Sequence, residues 1–142
     1  FAKITYNWQG IFNGCKNIEG PIPSDFFANC TPDTVNSAFF CCENLTGSIP
    51  ENLFKYNTKV KTFCGAFFGC ENLTGNIPEN LFVNNTDATD FSHTFRDCSN
   101  LTGTPPPLWE RQNITNSGYC FIGCNLLNLN EVPKSWGGNK KD

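Results

Sequence analysis

The stretch CCENLTGSIPENLF, Cys41 to Phe54, returns almost unchanged as GCENLTGNIPENLF, Gly69 to Phe82. A chain that repeats itself after 28 residues must place equivalent side chains in equivalent surroundings. One cysteine anchors each unit, at Cys15, Cys42, Cys70, Cys98 and Cys124. Three residues before each anchor stands Phe12, Phe39, Phe67, Phe95 or Phe121, and three after it Ile18, Leu45, Leu73, Leu101 or Leu127. Five after it come Gly20, Gly47, Gly75 and Gly103, followed by Ile22-Pro23, Ile49-Pro50 and Ile77-Pro78, with Pro105-Pro106 in the fourth unit. The fifth unit departs at Ser117 and Leu126 and ends in polar GGNKKD.

Each unit carries two periodicities. LTGNIP alternates Leu73, Gly75 and Ile77 with Thr74 and Asn76, which is the period of a strand. FCGAFFGC spaces Phe63, Ala66, Phe67 and Cys70 as one face of a short helix or 3₁₀ turn. Neither piece can bury its apolar face alone, so the units are expected to stack. A period near 28 falls in the leucine-rich-repeat range. The expected fold is a repeat solenoid: a short right-handed leucine-rich-repeat-like stack of about five strand-plus-helical-turn units with one parallel sheet. It forms one domain over residues 1–142, and residues 125–142 include a C-terminal cap.

VKTFCGAFFGCENL (Val60 to Leu73) and ATDFSHTFRDCSNL (Ala88 to Leu101) resemble BspA-like leucine-rich repeats, in the branch found in bacterial surface proteins and phage tail proteins. In that family Met often fills the places held here by Phe63, Ala66, Phe91 and Thr94, and this chain has no Met. The resemblance implies a solenoid used in adhesion or host-receptor contact, at a cell or virion surface outside the cell.

Composition narrows the classes of function. A formal charge of −3 offers no basic footprint for nucleic acid or an anionic membrane. No apolar run approaches the roughly 20 residues of a membrane-spanning helix, so direct membrane insertion is not expected. A chain that opens at Phe1 and lacks Met is expected to be a mature or excised piece of a longer product. With 14 Phe, the core must be built largely of aromatic rings. The anchor cysteines are expected to be buried free thiols, with any disulfide confined to Cys30, Cys41, Cys64 and Cys120. No Cys-x-x-Cys pair accompanies the lone His93, so no metal and no cofactor is expected. His93 takes the variable place of Gly65 as a surface polar residue. No nucleophile and acid converge on it, Glu51 and Glu79 form a solvated acidic row, and no enzyme is expected.

Asn29, Asn44, Asn72, Asn84, Asn100 and Asn113 begin Asn-x-Thr sequons and are candidate glycosylation sites. Three of them, Asn44, Asn72 and Asn100, recur with the repeat, as turn-capping asparagines would. The outward strand positions Thr46, Ser48, Thr74, Asn76, Thr102 and Thr104 are expected to form a ladder with one rung per roughly 4.8 Å. Trp109 and Trp136 would add stacking surface to it. This face is the candidate ligand site of a non-catalytic receptor-binding or adhesive module, its partner a cell-surface glycan or protein, with any homo-oligomer formed through flanking regions. A structural spacer or filament-forming repeat and an ice-binding Thr ladder are the alternatives. Should the face be inert, the loops around Asn57 and Asn85 are the next place for a site.

Overall fold

The computed structural model describes residues 18–141, so Phe12 and the anchor Cys15 lie outside the described residues. The expected solenoid of strand-plus-helical-turn units is not found. Among the described residues there is no α-helix, and the regular structure is one small parallel sheet of β1 (Gly75–Asn76) and β2 (Leu101–Thr102) with 3₁₀ turns at Leu108–Glu110 and Lys134–Trp136. Turns, bends and isolated bridges make up the rest.

The backbone shows why the two expected elements fail to form. Around Phe63 the amides of Ala66, Phe68 and Cys70 turn back to the carbonyls of Phe63, Gly65 and Phe67, at 3.0, 3.1 and 3.0 Å. The amides between them, Phe63, Gly65, Phe67 and Gly69, instead donate to Asp90, Ser92, Thr94 and Arg96, at 2.8–2.9 Å. No run of i→i−4 bonds is left to build a helix. Left-handed backbone at Gly65 (φ 63°) and Gly69 (φ 76°) also interrupts helical geometry. Strand geometry stops for a similar reason: Gly47, Gly75 and Gly103 are left-handed, with φ of 73–77°. The sequence suggests an inward-packing role for these glycines, whereas their observed role is to turn the chain.

Segments one sequence period apart do lie side by side, held by bridges such as Thr34 with Thr62, Thr62 with Asp90 and Asp90 with Asn116. Between them run columns of phenylalanine. Phe39, Phe67, Phe95 and Phe121 are buried, with successive centroids 5.7, 5.4 and 5.8 Å apart. Phe54 lies over Phe82 at 5.8 Å and Phe63 over Phe91 at 5.5 Å. Trp136 closes the far end, 6.4 Å from Phe121 and 6.3 Å from Phe91. It is buried, which removes it from the exposed stacking surface expected of it.

The described anchor cysteines are buried beside the rings, and they are more than small apolar groups. Cys70, Cys98 and Cys124 each donate S–H to a carbonyl of the preceding period, those of Phe39, Phe67 and Phe95, at 3.1, 3.0 and 2.8 Å. Burial pushes the thiols of Cys70, Cys98, Cys120 and Cys124 up, Cys124 to about 12. The eight cysteines within the described residues are unbridged.

Candidate functional site

The expected ligand face divides in two. Ser48, Asn76 and Thr104 line an open groove of about 820 Å³, together with Pro50, Glu51, Pro78, Glu79 and Pro105 to Pro107. Thr46, Thr74 and Thr102 do not line it. The left-handed glycine between each pair breaks the strict alternation that would keep both residues on one face. The rungs are also offset from the sequence alignment. Alignment sets Asn76 beside Thr104, but the sheet registers Asn76 with Thr102, and the Thr102 hydroxyl donates to Asn76 Oδ1 at 3.3 Å. That bond fixes the amide and leaves its N–H₂ group as the donor. The same side chain lies across Gly103, where a Cβ would collide with it.

The groove has a definite chemistry. Its lining offers hydroxyls, an amide, the carboxylates of Glu51 and Glu79, and a row of proline rings, with no cationic side chain. Both glutamates are exposed and neither forms a salt bridge among the described residues. Such a surface accepts and donates hydrogen bonds without drawing in anions. Trp109 is not part of it. It sits in the 3₁₀ turn Leu108–Glu110, half-buried, its ring edge-on to Trp136 at 6.5 Å.

In the loops of the alternative site, the side chains of Asn57 and Asn85 are themselves buried, while Tyr56, Thr58, Lys59, Thr86 and Asp87 beside them are exposed. Asn57 Nδ2 donates to the carbonyls of Phe27 and Cys30, at 2.9 and 3.0 Å. Asn85 repeats this on Phe54 and Asn57, at 3.1 and 2.9 Å. Arg111 takes the same place in the next period, its guanidinium donating to Phe82 and Asn85. These residues tie turns together and do not present a surface.

The sequons separate by the same kind of bond. Asn72 and Asn100 donate to the carbonyls of Glu43 and Glu71, both at 2.6 Å, and Asn113 donates to Thr86 and Ala88, at 2.9 and 3.4 Å. Asn44 is engaged as well. Asn29 and Asn84 are exposed, and their side chains make no hydrogen bond among the described residues.

His93 does occupy the place of Gly65, but not as a plain surface residue. It is half-buried, left-handed at φ 56°, and stacked between Phe68 and Tyr119 at 5.9 and 5.1 Å. Its Nδ1 lies 3.3 Å from the Arg96 guanidinium, which in turn faces the Phe68 and Tyr119 rings. Sequence reasoning missed this column. The signal was present in aligned Phe40, Phe68 and Arg96, one period apart.

Among the described residues no cluster of three or more His, Cys, Asp or Glu could hold a metal ion, and no helix is long and apolar enough to cross a membrane. No family model, no curated protein and no solved structure matches this chain.

Proposed function

We propose that this chain is a non-catalytic binding module, of the receptor-binding or adhesive kind, acting at a cell or virion surface. Its ligand is an uncharged glycan held in the groove of Ser48, Asn76 and Thr104. The observation that carries this is the lining of that groove, with its hydroxyls, fixed amide and exposed carboxylates set beside proline rings. Sugar hydroxyls pair with such donors and acceptors, and the apolar faces of a sugar lie against flat apolar side chains. The resemblance of Val60 to Leu73 to repeats of surface and tail proteins supports the same class. Buried thiols are compatible with an oxidising exterior, since burial raises their pKa and withholds the reactive thiolate.

A glycan array and a cell-binding assay test this, using the parent chain beside Asn76→Lys/Thr104→Lys. Both residues are exposed, so the double variant should fold, which circular dichroism and its unfolding midpoint will verify. Binding to neutral glycans should fall by about tenfold or more through loss of the lining hydrogen bonds. Unchanged binding by the folded variant would place the ligand elsewhere. Cell binding that persists after the glycans are removed enzymatically would point to a protein receptor.

A further inference from the structure

The backbone bonds between neighbouring segments run one way in the turn region. The amides of His93, Phe95 and Asp97 donate to the carbonyls of Gly118, Cys120 and Ile122 in the following segment, at 2.9, 3.0 and 2.7 Å. The equivalent amides one segment later are those of Tyr119, Phe121 and Gly123. Phe121 finds the carbonyl of Trp136 at 2.9 Å, while the amides of Tyr119 and Gly123 donate to no group among the described residues. A set of donors that all face one way therefore ends on open N–H groups. Each open N–H carries partial positive charge, and of the two residues Tyr119 lines a cavity from which Gly123 is absent.

Tyr119 lines a notch of about 290 Å³ together with Gly118, Ile122, Lys134, Ser135 and Gly137. Lys134 forms no ion pair among the described residues. Tyr119 is the last ring of a column through Phe40, Phe68 and His93, with successive centroids 4.8, 5.9 and 5.1 Å apart. It is 56 % exposed and no further ring follows it among the described residues. Its backbone is left-handed at φ 60°, where the equivalent of two periods earlier is Gly65. Ser37 and His93, its equivalents in two earlier periods, share this left-handed backbone, and the Arg96 guanidinium also faces the Tyr119 ring, at 5.4 Å.

We propose that this notch binds a sugar acid. The sugar ring lies on Tyr119, the carboxylate sits between the Tyr119 amide and the Lys134 ammonium, and the Ser135 hydroxyl meets a ring hydroxyl. The open amide and the ammonium together call for an anion. The exposed ring beside them calls for a flat partner with an apolar face, which a bare phosphate lacks. The site uses none of the groove residues and stands independently of that proposal.

The test is a titration of the ¹⁵N-labelled chain with glucuronate, following the Tyr119 amide. The resonance should move and saturate with glucuronate and stay still with glucose. Lys134→Gln should weaken binding by about tenfold or more, since a hydrogen-bonded charge is lost. Tyr119→Gly suits the left-handed backbone and should fold, yet lose the ring platform and most of the affinity. Asn76→Lys should leave glucuronate binding unchanged. A silent Tyr119 amide would overturn the proposal. So would an equal response to inorganic phosphate or to an acidic peptide, which would make this a general anion site, and so would undiminished binding by Tyr119→Gly.

Discussion

Asn57, Asn85 and Arg111 do the same work with two kinds of side chain. Each donates two hydrogen bonds to carbonyls of the preceding period. The asparagines leave Oδ1 buried without a partner, a cost that Arg111 avoids because a guanidinium has no acceptor. Desolvation lowers the pKa of Arg111. Asn85→Ala would strand two carbonyls, and it should lower unfolding free energy by about 2–4 kcal/mol, read as a shift of the urea midpoint at unchanged m-value. Backbone hand matters at the same scale. Gly69 is left-handed, and a Cβ there would sit 3.1 Å from the Cys41 sulfur and 3.3 Å from its Cα. Gly69→Ala should therefore cost about 1–2 kcal/mol from φ alone, with the contact adding to it.

The elements of this molecule are columns of rings more than strands or helices. Phe67 lies between Phe39 and Phe95, nearly parallel to the latter at 3°. Phe67→Ala should cost about 3–5 kcal/mol in chemical denaturation. Phe67 and Phe95 share packing, so the double substitution should deviate from the sum of the single ones by about 0.5–1.5 kcal/mol. Strict additivity would mean that the rings are held independently and that the column is not a unit.

For the whole molecule, the buried thiols set an upper pH limit. Cys70, Cys98, Cys120 and Cys124 are all raised by burial, Cys124 to about 12. In the unfolded chain a thiol ionises at about 8.5. Above that pH the unfolded state holds fewer protons than the folded one, so stability falls as pH rises. The contribution is present in full below about 8.5 and is lost as pH climbs toward the folded values. Urea midpoints measured from neutral to alkaline pH should fall through this window. Cys98→Ala should make the fall shallower, by about 1.4 kcal/mol per pH unit for the group removed. A flat profile would mean that the thiols ionise in the folded chain.

The sequence by itself determined which side chains face inward. Phe39, Phe67, Phe95 and Phe121, the described anchor cysteines and Leu45, Leu73 and Leu101 all recur at one period and are all buried, because equivalent positions meet equivalent surroundings. The exposure of Ser48, Asn76 and Thr104 was legible in the alternation for the same reason. The backbone was decided by tertiary structure. Spacing of the i, i+3, i+4, i+7 kind records which residues turn inward, and it does not say which carbonyl each amide will meet. Here alternate amides meet the neighbouring segment, which leaves turns where a helix was expected. The left-handed residues Ser37, Cys41, His93, Asp97 and Tyr119 carry no glycine to announce them, and the offset of Asn76 onto Thr102 exists only between segments. The groove and the notch follow from those two choices. The groove sets Asn76 against Thr102, 26 residues on, and the notch sets Tyr119 and Ile122 against Lys134, Ser135 and Gly137, and local propensity holds no record of either.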